Sequence, residues 1–320
     1  DDLKLRAGVD PSKLELMLEG ASSLSVEADG SLLVHLTGGG VLRKAPPVAY
    51  QTAPNGQRSL VAARYQLRGQ HSFGFVVGAY DAERELVIDP LLVYASYIGS
   101  SSYDEAFAAA TDAAGNTYIV GYTTGPLFPV VGSPVQAAYG GNPTDAFVVK
   151  LNASGNNFVY STYLGGNKAD QAYAVATDSS GNAYVGGITL SNNFPVASAA
   201  QATAGGGQDG FIAKLSPSGS GLLFSTYLGG AQDDFVRGIA VADGSAYATG
   251  TTFSSNFPTV APLRPSLSGT SDAFVSKLSA AGNALVYSTF LGGTLTDDGY
   301  AVAVNSAGSA FVVGSTTSTN

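Results

Sequence analysis

Tyr160-Ser-Thr-Tyr-Leu-Gly165 recurs through this chain, as Phe224-Ser-Thr-Tyr-Leu-Gly229, as Tyr287-Ser-Thr-Phe-Leu-Gly292, and in looser form as Tyr94-Ala-Ser-Tyr-Ile-Gly99. The four copies are spaced by 66, 64 and 63 residues. A Phe-Pro pair keeps the same step at Phe128, Phe194 and Phe257, and Asp-(Ala/Gly)-Phe keeps it at Asp145, Asp209 and Asp272. Three separate markers on one period define an internal repeat.

Each unit reads as four short strands, which in the third copy cover about residues 235–242, 245–252, 272–278 and 284–292. Val, Ile, Tyr, Phe and Thr dominate these runs and none has a helical period. Short turns join the first strand to the second, as in Asp112-Ala-Ala-Gly-Asn116 and Asp178-Ser-Ser-Gly-Asn182. Others join the third to the fourth, as in Ser216-Pro-Ser-Gly219 and Ser279-Ala-Ala-Gly282. Glycine supplies positive φ in such hairpins, and Asn or Asp bonds back to the local backbone. Four antiparallel strands per repeat make the unit of a β-propeller blade, whereas immunoglobulin-like sandwiches need about 100 residues per copy.

The combined pattern is Tyr-Ser-Thr-Tyr-Leu-Gly-Gly, an Asp, Ala-Val-Ala-x-Asp-x-x-Gly-Asn-x-Tyr-Val-x-Gly, Asn-Phe-Pro, and Asp-x-Phe-(Val/Ile)-x-Lys-Leu. It resembles the bacterial SBBP β-propeller repeat over about residues 91–320. The stretches Leu42-Arg-Lys-Ala-Pro46, Val48-Ala-Tyr-Gln51 and Leu86-Val-Ile-Asp-Pro90 resemble the β-rich domain that commonly precedes these repeats, here with its start cut. The resemblance implies a propeller fold in large secreted or cell-surface proteins. It implies no settled biochemical activity.

The expected organisation is an all-β, sandwich-like accessory domain over residues 1–90, then a β-propeller over 91–320. Within the propeller we expect an outer strand at 91–99, full blades at about 103–166, 167–230 and 231–293, and a half blade at 294–320. A closed four-bladed ring would lack one strand, for which residues 73–80 are a candidate. The other readings are a piece of a larger propeller and completion of the half blade by a neighbouring subunit, because an open edge invites pairing. The chain opens on Asp1 without a signal-like segment, as expected where a leader has been removed or where the chain is part of something longer.

Composition narrows the function classes. Charged residues make up 12% of the 320, roughly half of the usual ~25%, so Ser, Thr, Asn and Gly must cover much of the surface. We read this as an extracellular composition. The absence of Cys excludes disulfides, thiolate metal sites and a Cys nucleophile. A net charge of −9 argues against nucleic acid as a partner, and no apolar run is long enough for a membrane-spanning helix.

The connections after the second strand, such as residues 191–208, and the Gly-Gly-x-x-x-Asp segments fall on one face of the expected propeller. That face is where a site is expected. Asp104 with Glu105, Asp170, Asp233 with Asp234, and Asp297 with Asp298 stand just before the innermost strands and would ring the channel mouth. Such carboxylates suit a hard cation, calcium first; the plainer reading is that each Asp caps its own loop. Lys150, Lys214 and Lys277 follow Asp145, Asp209 and Asp272 by five residues, which puts Lys and Asp on opposite strand faces with no direct pair; a blade-to-blade polar tie at the Asp is the expected role. The repeated Phe-Pro is expected to pack the insert onto its blade.

Catalysis finds little support. The two histidines, His35 and His71, lie in the accessory domain, and no nucleophile elbow, phosphate loop or zinc spacing occurs. The leading expectation is a non-catalytic, secreted or cell-surface scaffold, structural or adhesive, that self-associates or binds other surface proteins and builds a filament through its half blade. The alternatives are a carbohydrate-binding module that takes glycans on exposed Tyr and Phe, and a polysaccharide-active enzyme with a carboxylate pair on the long-loop face.

Overall fold

The periodicity is realised as repeated four-stranded sheets in a computed structural model that describes residues 3–36, 41–89, 98–141, 143–153, 155 and 157–319. The chain divides into two compact units, Asp1–Ala95 and Ser96–Asn320.

Among its described residues the first unit holds ten strands: β1 (Leu3–Leu5), β2 (Leu16–Met17), β3 (Ala21–Val26), β4 (Leu32–Leu36), β5 (Val41–Lys44), β6 (Val48–Thr52), β7 (Arg58–Val61), β8 (Ala63–Leu67), β9 (Ser72–Val77) and β10 (Leu86–Asp89). They form three sheets, ordered β1-β10-β6-β7, β2-β9-β8 and β3-β4-β5. Leu32, Val34, Phe73, Phe75, Leu86 and Ile88 are buried between them in one core. Tyr65 joins its ring to those of Phe73 and Phe75, and burial with the nearby Asp89 carboxylate pushes its hydroxyl up to about 12. The expected sandwich is therefore three small sheets. The strand within residues 73–80 is β9, and it pairs with β8 and β2 inside this unit. Among the described residues both strands that β9 pairs with belong to this unit. The outer strand expected at 91–99 falls mostly on residues 90–97, which lie outside the described residues.

The second unit contains three equivalent antiparallel sheets. The first is β11 (Asp104–Thr111), β12 (Thr117–Thr123), β13 (Asp145–Leu151) and β14 (Phe158–Leu164). The second is β15 (Asp170–Thr177), β16 (Ala183–Thr189), β17 (Asp209–Leu215) and β18 (Leu222–Leu228). The third is β19 (Asp234–Ala242), β20 (Ser245–Thr252), β21 (Asp272–Leu278) and β22 (Leu285–Leu291). A hairpin, β23 (Asp297–Val304) and β24 (Ala310–Thr316), follows. In each sheet the strands pair in sequence order, and the first strand of the next sheet packs across the preceding sheet's first three.

Two local rules repeat with the sheets. Each first strand carries a β-bulge, at Phe107, Tyr173, Arg237 and Tyr300. The second strand answers with Gly121, Gly187, Gly250 or Gly314, because a Cβ there would lie 1.6 to 2.0 Å from the carbonyl oxygen just before the bulge. The insert after the second strand is pinned by its Phe-Pro: Phe128, Phe194 and Phe257 are buried with ring centroids 4.4, 4.5 and 4.6 Å from Phe147, Phe211 and Phe274. Just beyond that anchor the insert bridges the outermost strand, pairing Val131 with Ser161, Ala197 with Ser225 and Val260 with Ser288. The free edge of each sheet is thereby partly covered.

A polar tie joins neighbouring sheets on the short-turn side. Asp112 accepts backbone N–H groups from Ala114 and Asn116, so the Asp-x-x-Gly-Asn segment is an Asx-stabilised hairpin turn. Its other oxygen meets the Tyr118 hydroxyl at 3.0 Å and Lys150 Nζ at 3.5 Å, and Tyr118 also donates to Gly181 O of the next sheet at 2.7 Å. Lys150 reaches Pro217 O and lies over the Tyr118 ring. The second sheet repeats the set with Asp178, Tyr184 and Lys214. The sequence reading had Lys and the strand-three Asp apart, and they are; the partner of each lysine is the turn Asp instead. In the third sheet Ala242 stands where Asp112 and Asp178 stand, the turn shortens to Asp243-Gly244 with positive φ at both residues, and Lys277 keeps the Tyr247 ring without an ion pair among the described residues.

Removing one partner of a buried pair strands the other charge, at about 3–5 kcal/mol. Lys150→Met should therefore leave Asp112 uncompensated and lower the urea midpoint of the repeat unit clearly. Lys277→Met, with no carboxylate to strand, should lower it much less. Equal losses in the two variants would count against the ion pair as the source.

Candidate functional site

The acidic residues on the long-loop side form pairs, and each pair sits where one sheet hands over to the next. A strand-three aspartate and the first aspartate of the following sheet both face the first glycine of the Leu-Gly-Gly segment between them. A Cβ built on Gly165 would lie 3.0 Å from Asp145 Oδ1 and 2.8 Å from Asp170 Oδ2. On Gly229 it would lie 2.1 Å from Asp209 Oδ1 and 2.8 Å from Asp234 Oδ2, and on Gly292 2.6 Å from Asp272 Oδ1 and 2.7 Å from Asp297 Oδ2. Only glycine leaves room for both carboxylates, which explains this part of the repeated hexapeptide. All six aspartates are buried.

The two members of a pair are held differently. Asp170 Oδ2 accepts from Gly166 N at 2.7 Å and Ser191 Oγ at 2.9 Å; Asp234 Oδ2 accepts from Gly230 N and Ser254 Oγ at 2.6 and 2.8 Å. Asp297 Oδ2 repeats this with Gly293 N and Ser318 Oγ, and Asp104 Oδ2 accepts from Ser100 N and Oγ. These residues cap their own loops, as the plainer sequence reading has it. The strand-three aspartates are less well served. Asp145 Oδ2 accepts from Gly140 N and Gln136 Nε2, Asp209 Oδ2 from Gly205 N and Asp272 Oδ2 from Ser268 N. Their Oδ1 atoms are buried without a hydrogen-bond partner, and so are those of Asp104, Asp170 and Asp234.

Charge balance differs among the junctions. No ion pair in the described residues involves Asp145, Asp170, Asp209 or Asp234. Burial therefore dominates: it pushes Asp145 and Asp209 up to about 6 and Asp170 to about 7, with the neighbouring carboxylate adding to the shift at Asp170 and Asp209, and it raises Asp234. At the third junction Arg264 lies close enough to favour ionisation of both Asp272 and Asp297. Burial still raises Asp272; at Asp297 the opposing hydrogen bonds from Thr316, Gly293 and Ser318, with Arg264, leave the carboxyl below the usual range.

The remaining sequence candidates lie elsewhere. Asp233 is exposed and accepts from Gln208 N, and Asp298 accepts the Thr251 hydroxyl across to the third sheet. Among the described residues no group of three His, Asp or Glu side chains converges on a point. The site pattern is thus a series of pairs, and half of each pair, namely Asp145, Asp209 and Asp272, is expected from sequence as a tie between sheets but not as a cation ligand. A second feature lies on the first sheet. Tyr103 and Phe107 are exposed, the rings of Tyr103, Tyr122, Phe107 and Tyr173 follow one another at 6.0, 5.7 and 4.9 Å, and Glu105 Oε2 accepts both the Tyr103 and Tyr122 hydroxyls.

A carboxyl that titrates higher in the folded chain than its ordinary ~3.9 lets the folded state bind more protons, so its stability contribution is full below about pH 4 and is lost as pH rises through its folded value. In chelator, the melting temperature of the repeat unit should fall between pH 5 and pH 8 as Asp145, Asp170 and Asp209 are forced to ionise. Asp145→Asn should flatten part of that slope. A melting temperature that climbs over the same interval would contradict these assignments.

Comparison with protein families gives two matches. Residues 159–195 match the β-propeller repeat family SBBP, and residues 1–91 match a domain of unknown function, DUF7948. Comparison with curated proteins gives no match. The chain carries an SBBP β-propeller repeat within its array of four-stranded sheets, preceded by a DUF7948 domain.

Proposed function

We propose that this protein is a non-catalytic scaffold of the cell surface or extracellular space, built as a β-propeller of repeats 63 to 66 residues long, which joins copies of itself through the β23–β24 half blade. The observation that carries this reading is the repeat itself, in which the first strand of each following sheet packs across the sheet before it in the same way. Phe311 and Val313 on β24 are exposed. The first sheet presents a complementary apolar surface, with Tyr103 61% and Phe107 41% exposed. Contact between two different surfaces of one chain is heterologous, and such contacts propagate into rings or filaments. The low charge content and the Ser/Thr-rich turns support an extracellular setting.

Sedimentation and electron microscopy over a range of concentrations test the reading. Ordered polymers are expected, and both deletion of residues 297–320 and the double change Phe311→Lys with Val313→Lys should abolish them. A chain that stays monomeric throughout, or polymers unchanged by both variants, would refute self-association.

The aromatic run on the first sheet favours a second reading, a carbohydrate-binding surface. A run of tilted, partly exposed rings beside a carboxylate suits sugar faces and hydroxyls. A glycan screen should then show binding that Tyr103→Ala and Phe107→Ala remove together.

A further inference from the structure

Two buried carboxylates facing one point must hold a proton or meet a positive charge. Desolvating an ionised carboxylate costs several kcal/mol even after relaxation, and like charges about 4–6 Å apart suppress one another's ionisation. The third junction shows how the chain itself answers. Arg264 occupies the place held by Gln136 and Gln201 in the first and second sheets: all three donate their backbone N–H to the equivalent threonine hydroxyl, Thr289, Thr162 and Thr226. The Arg264 guanidinium bonds Gly292 O, beside the Asp272–Asp297 pair. At the first two junctions the glutamine instead accepts the N–H of Gly165 or Gly229 on its carboxamide oxygen. No side-chain cation arrives there. Oδ1 of Asp145 and of Asp209, like that of Asp272, is buried without a hydrogen-bond partner and aimed at the junction glycine.

We propose that the Asp145–Asp170 and Asp209–Asp234 junctions each bind one calcium ion, and that Arg264 replaces that ion at Asp272–Asp297. Besides the N–H donors that already hold the Oδ2 atoms, the groups at hand are oxygens. At the second junction these are the two carboxylates and the carbonyls of Gly229 and Gly230, which approach to 2.9 and 2.5 Å from the position of a Cβ on Gly205. Carboxylate and carbonyl ligands select a hard cation, and a site assembled from irregular loop backbone suits calcium's flexible coordination better than the strict octahedron of magnesium. This goes beyond the scaffold reading: it concerns how neighbouring sheets are clamped, and it stands whether or not the chain polymerises.

The test is calcium titration of the chelator-treated full chain by calorimetry, with thermal melting alongside. Two ions per chain are expected, with dissociation constants of about 10⁻⁴–10⁻³ M or tighter, together with a calcium-dependent rise in melting temperature that is larger at pH 8 than at pH 5. Asp145→Asn and Asp209→Asn should each remove one ion. Gln201→Arg should also remove one, yet melt in chelator at or above the parent, since the guanidinium supplies the missing charge. This variant keeps the proposal testable if the Asn variants fold poorly. Absence of binding at millimolar calcium, with stability governed by pH alone, would mean that the pairs share protons and would overturn the proposal. So would a stoichiometry that Gln201→Arg leaves unchanged, or magnesium bound as tightly as calcium.

Discussion

The repeat unit depends on one recurrent meeting: a strand-three carboxylate, a glycine with no side chain, and the first carboxylate of the following sheet. Everything else at the junction is arranged around that crowding. The glycine must be glycine because both oxygens occupy the space of its Cβ. The next first strand begins at the second aspartate, so the position from which each sheet starts is fixed by the sheet before it. On the opposite side the Tyr118 and Tyr184 hydroxyls fasten the same neighbours through Gly181 and Gly244 carbonyls. Each interface is thus pinned at both ends, with the apolar core of Val148, Leu164, Ala172 and Val185 between them. Where the chain departs from the pattern, it departs in charge: Ala242 removes an acid from the turn side, and Arg264 adds a base on the loop side.

Much of this architecture is legible in the sequence because the repeat supplies its own controls. The third strand expected at 272–278 is β21, Asp272–Leu278, and the second, expected at 245–252, is β20, Ser245–Thr252. Hairpin turns declare themselves through Gly, Asn and Asp, and the Phe-Pro anchors pack as a buried aromatic must. The accessory region reads less clearly. Its short alternating runs carry no period, so nothing in the sequence says which strand pairs with which, and the strand at Ser72–Val77 could be assigned to the wrong unit.

The site was half legible. Asp170, Asp234 and Asp297 stand out because they precede an inner strand, but the aspartates at 145, 209 and 272 sit in another part of the repeat. A period tells which residues are equivalent, not which ones meet. The junction joins a residue of one repeat to a residue of the next, and only sheet packing brings them together. The recurring strand-three Asp signals a tie to the next sheet, but not which residue it meets there. The exchange of Gln136 and Gln201 for Arg264 gains meaning only once the carboxylates beside it are known.

The insert that bridges each outermost strand has a consequence for how such chains change over generations. Every sheet brings its own edge cover, made from the same repeat that makes the edge. A tandem duplication or loss of one repeat therefore adds or removes a finished module without laying bare new backbone on its neighbours. Copy number can drift by recombination between near-identical segments while each intermediate still folds. The near-identity of the hexapeptides at residues 160, 224 and 287 is what such a history would leave.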